Sequence, residues 1–301
     1  MSGTAALGLD LGGSSIKATL LNLDSDGRHR IERTQTWPLH GDRTPEGVVS
    51  AVGRIAEHFG RVDHYGMAIP GIIDIEHGLA LVMPNFPPAW REYPIGAAIA
   101  DAVGRSPALI NDAKAFSLAE TTLGSGRGWD LVASVVLGTG VGGGIVQHGR
   151  LWMGAGTAGE FGHIIVEVDG PLCGCGSRGC VEAIAGGEAI ERAAGQPSVE
   201  AVFAAAAAGD RRARGALDRA TSALAAAIAG ISATIAPDVF VIGGGIAAAG
   251  DTLLEPLRRK VAERIRIIPP DRIRVVAASL GRQAGSIGAA LNSIDVSDAR
   301  A

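Results

Sequence analysis

Three cysteines and one histidine form the strongest chemical pattern in the sequence. All three cysteines of the 301-residue chain lie close together, at Cys173, Cys175 and Cys180, and His163 lies shortly before them. Thiolates and an imidazole are the ligands of structural zinc. An odd, crowded set of cysteines is a poor basis for disulfide bonds. The spacing therefore predicts a zinc site with four protein ligands, which leaves no open position for a reacting water.

Acidic and amide side chains near these ligands could bind hydroxyl groups. Glu160 lies three residues before His163, and Glu182 follows the cysteines. Asn111 and Asp112 end a segment that predicts a strand, and open α/β sheets bind their ligands at such ends. Carboxylates and amides accept hydrogen bonds from the neighbouring hydroxyls of a sugar. Each acid alone is typical of a solvated surface, but together they favour phosphoryl transfer to a polyol.

Two glycine-rich turns could cradle phosphate oxygens through their backbone N–H groups. The first contains Gly12 and Gly13, with Asp10 placed to hold a phosphate-bound Mg²⁺ directly or through water. The second runs from Gly138 to Gly144. It has the spacing of a dinucleotide-binding fingerprint, but a strand rather than the required helix is predicted after it. A Walker-type loop is excluded because no Gly-Lys pair occurs. Two ordinary hairpins remain the alternative interpretation.

These turns lie in two predicted units of similar pattern. Segments 5–10, 16–21 and 30–37 predict three antiparallel strands, and segments 131–137 and 145–147 predict a second strand–turn–strand unit. The similarity predicts two lobes of related architecture that each supply one glycine-rich turn to a shared cleft. We also expect a helix capped by Thr44, an alanine-rich helical region up to residue 236, and a last helix from about residue 284 that packs on the N-terminal lobe.

Composition and charge exclude several classes of function. The formal net charge is −4 and only 4% of residues are aromatic, which argues against a nucleic-acid partner. The uncharged stretch 220–237 is rich in small residues and predicts a buried helix rather than a membrane span. No signal-peptide pattern precedes the first predicted strand, and no disulfide framework is present. We therefore expect a cytoplasmic protein without a membrane partner.

The motifs together resemble the sugar-kinase branch of the ROK (repressor, open reading frame, kinase) family. The matching segments extend from residue 7 to at least residue 246. They are Asp10-Leu-Gly-Gly-Ser14, Ile69-Pro-Gly-Ile72, Asn85, Asn111-Asp-Ala113, Leu137-Gly-Thr-Gly-Val-Gly-Gly-Gly144, Gly159-Glu-Phe-Gly-His163, Cys173-Gly-Cys-Gly-Ser-Arg-Gly-Cys-Val-Glu182 and Val241-Ile-Gly-Gly-Gly-Ile246. The combination of the Glu160-to-His163 motif with the cysteine motif is highly specific.

The resemblance implies an α/β fold of the actin-like ATPase (ribonuclease H-like) class, with two lobes and a cleft between them. We expect residues 1–112 to form a small N-terminal lobe, completed by the C-terminal helix at about 285–301. Residues 113–284 are expected to form a larger lobe that carries the zinc loop.

The resemblance also implies a role for each matching residue. Asp112 would be the base that takes the proton of the attacking hydroxyl. The sugar would be bound by Gly71, Asn85, Asn111, Asp112, Glu160, His163 and Glu182. His163 would use one ring nitrogen for the zinc and the other for the sugar. The phosphate donor would be bound by Asp10, Gly12, Gly13, Ser14, Gly138, Thr139, Gly140, Gly243, Gly244 and Gly245.

One departure from the family pattern concerns the donor. Kinases of this family usually carry Gly-Gly-Thr-Lys-Ile where this chain has Gly13-Ser14-Ser15-Ile16-Lys17. The displaced lysine resembles that of polyphosphate-using glucokinases. Both ATP and polyphosphate therefore remain candidate donors.

The predicted activity is phosphorylation of glucose at its 6-hydroxyl by ATP, with Mg²⁺ and Zn²⁺ as metal ions. N-acetylmannosamine, N-acetylglucosamine or another hexose is the alternative substrate, because nothing in the sequence measures the room at the C2 substituent. A ROK-type transcriptional regulator is less favoured, since such repressors carry a winged helix–turn–helix ahead of a motif that here begins near Leu7. A homodimer or homotetramer is expected.

Overall fold

The computed structural model describes residues 3–83, 85–267, 269 and 272–298. The chain folds into two compact units, and it crosses from one to the other twice. The first unit comprises Met1–Ala119 and Arg282–Ala301, and the second comprises Glu120–Gly281. Of the expected C-terminal helix, residues 299–301 lie outside the described residues.

The first unit is built on a five-stranded sheet with the order β3-β2-β1-β4-β7. Strands β1, β2 and β3 are antiparallel neighbours, and β4 and β7 run parallel to β1. The strands are β1 (Thr4–Leu11), β2 (Ser15–Leu23), β3 (His29–Pro38), β4 (His64–Ile69) and β7 (Ala108–Asn111), with a separate hairpin of β5 (Ile72–Asp74) and β6 (Leu79–Val82). The three antiparallel strands agree with those predicted for segments 5–10, 16–21 and 30–37.

The helices of this unit differ in burial: the first is buried on one face, whereas the third and the last are buried on almost all sides. They are α1 (Pro45–Phe59), α2 (Ile95–Val103), α3 (Asp112–Thr122), whose last residues belong to the second unit, and α9 (Ala284–Asp298). The Thr44 hydroxyl accepts a hydrogen bond from Gly47 N at 3.1 Å, which confirms the predicted cap of α1. Helix α9 approaches β1 and β4 so closely that a side chain at Gly8 or Gly66 would overlap its backbone.

The second unit repeats this arrangement. Its sheet has the order β10-β9-β8-β11-β12, again with an antiparallel β8–β9 pair and β11 and β12 parallel to β8. The strands are β8 (Leu131–Leu137), β9 (Val141–Gln147), β10 (Arg150–Leu151), β11 (Val239–Gly243) and β12 (Arg274–Ala277). The helices are α4 (Glu182–Ala185), α5 (Gly187–Ala194), α6 (Val199–Ala207), α7 (Arg211–Thr234) and α8 (Asp251–Arg264).

Helix α7 contains most of the uncharged stretch 220–237. Its residues Leu224, Ile228 and Ile231 are buried in the core of the second unit, as the sequence predicted. None of the helices described is both long and apolar enough to cross a membrane.

One strand boundary was predicted wrongly. We expected a turn from Gly138 to Gly144, but β9 already begins at Val141 and its glycines pair with β8. The glycines serve close packing rather than a turn, since a side chain at Gly143 would lie 2.6 Å from the ring of Phe161. The turn between β8 and β9 is therefore short and consists of residues 138–140.

Candidate active site and metal centre

In the first unit, the carboxyl ends of three parallel strands bring predicted site residues to one edge of the sheet. The register pairs Asp10 with Ala68 across β1 and β4, and Ala68 with Ile110 across β4 and β7. Two strand spacings, or roughly 10 Å, therefore separate β1 from β7. Asp112 follows Ile110 by two residues, so Asp10 and Asp112 belong to the same sheet edge.

Asn111 joins this edge to the neighbouring loop. Its Nδ2 donates to the Gly71 carbonyl at 3.0 Å, and Gly71 has a left-handed φ of 85°. Its Oδ1 accepts from Ala113 N at 3.0 Å and from Lys114 N at 3.2 Å. Asn111 thus caps α3. Asp112 Oδ1 also accepts from Ala113 N, at 2.9 Å, and the Asp112 side chain is only partly buried.

The displaced lysine forms an ion pair with the acid of the first turn. Lys17 Nζ lies 2.7 Å from Asp10 Oδ2, because Asp10 and Lys17 are opposite each other in the β1–β2 register. Gly12 N donates to Ser15 O and closes the turn, on which Gly13 and Ser14 are exposed. A single carboxylate together with substrate phosphates is a common way to hold Mg²⁺ in kinases, so Asp10 fits that role if its second oxygen is used.

Asn85 lies on a different loop of the first unit. It has a left-handed φ of 64°, and its carbonyl accepts a hydrogen bond from Arg43 at 2.7 Å. Its side chain is exposed.

In the second unit, the parallel pair β8–β11 brings the other glycine segments to one edge. Gly243 pairs with Val136, so Gly244 and Gly245 lie beside the 138–140 turn. Gly244 has a φ of 88°, and a side chain there would overlap the Leu137 carbonyl. A cavity of about 360 Å³ lies between the turn, the Gly245–Ile246 backbone and the start of α5. Three acids also line it, namely Glu188, Glu191 and Glu200.

A short 3-10 helix, Phe161–His163, presents the next group of predicted residues. Glu160 precedes this helix, and its carbonyl accepts from His163 N at 3.1 Å. Phe161 is buried against β9, whereas the His163 side chain is exposed and Glu160 is partly buried. The apolar Phe161 thus fixes the segment, and its polar neighbours lie outside the core.

The predicted zinc ligands come together. The ligand atoms of His163, Cys173, Cys175 and Cys180 all lie within 4.8 Å of one another. Cys175 Sγ is 3.7 Å from Cys180 Sγ, and Cys173 Sγ is 3.8 Å from His163 Nδ1. A tetrahedral zinc with bonds of about 2.3 Å places its sulfur ligands about 3.8 Å apart. The number, chemistry and spacing of these donors therefore fit a structural zinc.

The thiols of this group differ in their pKa values. Burial raises the pKa of Cys180 to about 12 and also raises the pKa of Cys173. A hydrogen bond from the backbone N–H of Ser177 lowers the pKa of Cys175 to about 7. Zinc binds thiolates, so loading the site would release protons from the two buried cysteines.

Glu182 lies between the zinc ligands and the 138–140 turn. Its Oε1 is 3.8 Å from Cys173 Sγ, and its Oε2 accepts a hydrogen bond from Val141 N at 3.0 Å. The sequence predicted Glu182 as a sugar ligand but contained no signal for the contact with Val141. The Gly186–Gly187 pair was also missed, although two adjacent glycines at a helix start are a sign of close backbone packing.

Both units thus have the strand order of the actin-like ATPase fold, with a glycine-rich turn between the first two strands of each sheet. The model of the ROK family matches residues 6–295. The chain belongs to the ROK family.

Relatives and solved structures agree with this assignment. The chain is 37% identical to a glucokinase of Thermotoga maritima, over 94% of this chain and 95% of the relative. It superposes on the crystal structure of a ROK hexokinase from Thermus thermophilus with a TM-score of 0.84, at 33% identity, covering 98% of this chain and 100% of that one. A ROK family glucokinase from Streptomyces griseus, in complex with glucose and AMPPNP, gives a TM-score of 0.79 at 32% identity, covering 97% and 99%.

Proposed function

We propose that this protein is a hexose kinase that transfers the terminal phosphoryl group of ATP to the 6-hydroxyl of glucose. The observation that carries the proposal is the position of Asp112, an acid at the edge of a parallel sheet that also bears Asp10, in a chain of the ROK family. The glucokinase of Thermotoga maritima and the glucose complex of the Streptomyces griseus protein make glucose the first substrate to test.

In this proposal Asp112 accepts the proton of the attacking hydroxyl. Asn111 holds its neighbour in place because its own side chain is fixed by Gly71 and by the start of α3. Phosphoryl transfer depends mostly on positioning and on stabilising charge, and the base completes it by removing the proton. The partial positive charge at the start of a helix favours negatively charged groups, and a base needs its charged form.

We assign the hydroxyls of the sugar to a set of polar residues. Their side chains or carbonyls offer acceptors on partly exposed surfaces, as a sugar requires. The set consists of Gly71, Asn85, Asn111, Glu160, His163 and Glu182. A zinc at His163, Cys173, Cys175 and Cys180 would supply structural order to the loop that carries the last three. With Nδ1 on the metal side, His163 would keep Nε2 for a sugar hydroxyl.

ATP is the favoured donor because of the charges around the cavity in the second unit. The 138–140 turn suits phosphates through the N–H groups of Thr139 and Gly140, since Gly138 N donates to Gly140 O. Glu188, Glu191 and Glu200 line the rest of the cavity. Carboxylates accept hydrogen bonds from ribose hydroxyls and repel an extended polyanion. Adenosine beside Gly243, Gly244 and Gly245 therefore fits this lining better than polyphosphate does. Mg²⁺ near Asp10 would neutralise phosphate charge.

We further propose that the two units act as the lobes of one kinase, in a cytoplasmic homodimer or homotetramer. The family resemblance supports this organisation.

A coupled assay of the purified protein tests the proposed activity. With ATP and Mg²⁺ we expect ADP formation with glucose, and a lower kcat/KM with N-acetylmannosamine and N-acetylglucosamine. Replacing ATP by polyphosphate is expected to lower the rate at least tenfold. A preference for an N-acetyl sugar would change the proposed substrate, but the proposed hexose kinase activity would stand. No ADP release with any hexose would contradict the proposal.

A further inference from the structure

The segment that follows the zinc ligands holds the 138–140 turn through a carboxylate. Glu182 Oε2 accepts a hydrogen bond at 3.0 Å from the backbone N–H of Val141, the residue that follows the turn. The same oxygen fills the space in which a side chain at Gly140 would lie. The hydrogen bond uses one lone pair of Oε2, and the other acceptor positions of the carboxylate are left for a sugar hydroxyl.

The backbone of the same segment holds the other end of the turn. Gly187 N donates to Gly138 O at 2.9 Å, and Glu188 N donates to Thr139 O at 3.4 Å. The contact is close, since a methyl group at Gly187 would lie 2.9 Å from Gly138 O and one at Gly186 would lie 2.9 Å from Thr139 O. Residues 182–188 thus engage the carbonyls of Gly138 and Thr139 and the N–H of Val141, the residue that follows the turn.

These contacts determine where the remaining N–H groups of the turn can point. A phosphate cradle works only if its N–H groups are held in one direction before the ligand binds. A hydrogen bond from Gly138 N to Gly140 O at 3.0 Å closes the turn, but Gly138 and Gly140 still leave its backbone more freedom than other residues would. Its geometry therefore also depends on neighbouring segments, and residues 182–188 make the contacts described above.

We propose that Glu182 and the Gly186–Gly187 junction are positioning residues for the phosphate donor. Donor affinity then depends on residues 182–188 separately from any contact of Glu182 with the sugar. This inference rests on the proposed function, which assigns the 138–140 turn to the donor phosphates.

Variants at residues 182 and 187 separate the two roles when binding is measured by calorimetry. Affinity for MgATP is measured without sugar, and affinity for glucose without nucleotide. Glu182→Ala should weaken both by about tenfold or more, the effect of losing a hydrogen bond to a charged group. Glu182→Gln keeps an oxygen that can accept from Val141 N, so MgATP affinity should stay within about threefold of wild type while glucose affinity falls.

Gly187→Ala displaces the turn without touching any proposed sugar ligand. It should raise the KM for ATP by about tenfold and leave the affinity for glucose unchanged. Gly230→Ala is the matched control, because a side chain there meets open space on α7 of the same unit. Circular dichroism checks that each variant is folded. If Gly187→Ala does not fold, the comparison of Glu182→Ala with Glu182→Gln tests the inference by itself.

Wild-type MgATP affinity in both Glu182→Ala and Gly187→Ala would overturn the inference. It would also be overturned by a wild-type protein that binds neither ATP nor polyphosphate. A wild-type protein that binds ATP but phosphorylates no hexose would instead contradict the proposed function, and the binding comparison would still test the role of residues 182–188.

Discussion

At the scale of single residues, two neighbouring polar residues at the start of α3, Asn111 and Asp112, are proposed to have different roles, one structural and one chemical. An acid at the start of a helix often serves only to cap it. The cap is Asn111, whose Oδ1 accepts from both Ala113 N and Lys114 N. Asp112 makes a weaker structural contribution through Ala113 N, which an asparagine could also make.

Asp112→Asn should therefore fold normally and bind glucose almost normally, but turn over at least about 100-fold more slowly. The loss is expected because general-base catalysis contributes about 10²–10⁴-fold. Steady-state kinetics give kcat, and calorimetry gives the affinity for glucose. Asp101→Asn, at an exposed site on α2, is the control. Full turnover of Asp112→Asn would transfer the role of base to Glu160 or Glu182.

The ion pair between Lys17 and Asp10 gives a second prediction at this scale. Asp10 is 8% exposed, so removing its partner leaves a mostly buried carboxylate without its ammonium. Lys17→Met keeps the apolar stem and should lower the free energy of unfolding of the first unit by about 2–3 kcal/mol. Urea denaturation measures this. Arg30→Ala, which breaks the exposed pair with Glu32, should cause no measurable change. Equal stability of Lys17→Met and wild type would show that the pair contributes nothing.

At the scale of elements, the zinc loop shows how a segment with little regular structure is ordered. Between the end of β10 and the start of α4, its described residues form only a short 3-10 helix and isolated bridges, such as that between Ile165 and Cys180. An ion pair from Arg219 of α7 to Glu167 ties the loop to the core, with Nη2 2.6 Å from Oε2. Hydrogen bonds from Arg219 lower the pKa of Glu167. The pair is half exposed, so it contributes little to the order of the loop.

The purified protein should contain one zinc ion per chain, measured by elemental analysis. Cys175→Ala removes a ligand and should lose both the metal and most of the affinity for glucose, because Glu160, His163 and Glu182 border the same loop. Arg178→Ala changes an exposed, non-ligand side chain of the loop and should retain both. Protein without zinc that still binds glucose would contradict this prediction.

At the scale of the whole molecule, one buried acid lies where the chain crosses between the units. The crossings occur after residues 119 and 281. Glu120 is fully buried and accepts hydrogen bonds from Ser279 N at 3.0 Å, from Leu280 N at 2.8 Å and from Ser125 N at 2.9 Å. The Glu120 carboxylate therefore connects the residues just before the second crossing to those just after the first. All of these residues belong to the second unit.

Glu120→Ala removes the acceptor of these three N–H groups. They belong to exposed or partly buried residues, so water replaces part of the loss and we expect a total cost of about 1–3 kcal/mol. We expect faster hydrogen exchange at residues 279 and 280, measured by mass spectrometry, and a lower unfolding midpoint. Glu120→Gln, which keeps one oxygen, should be intermediate. Glu263→Ala, on an exposed part of α8, is the control. Unchanged exchange at 279 and 280 in Glu120→Ala would rule out this role.

The sequence by itself determined the features that depend on local spacing. The zinc ligands lie close together along the chain, so residue type and spacing alone identify His163, Cys173, Cys175 and Cys180 as a group. The cap at Thr44 and the strand pattern of the first sheet follow from periodicity and turn chemistry, which act over a few residues. The family and its fold follow from motifs that are specific and span most of the chain.

Tertiary structure alone decided the contacts between distant segments. Val141 and Glu182 are 41 residues apart, and Glu120 and Leu280 are 160 residues apart. No local periodicity encodes such pairs, because they arise only when strands and helices pack in a particular order. The glycines of β9 were misread as a turn for the same reason, since the Phe161 ring that requires them lies well beyond them in sequence. Spacing along the chain thus predicted which groups do chemistry, and packing decided which groups hold them in place.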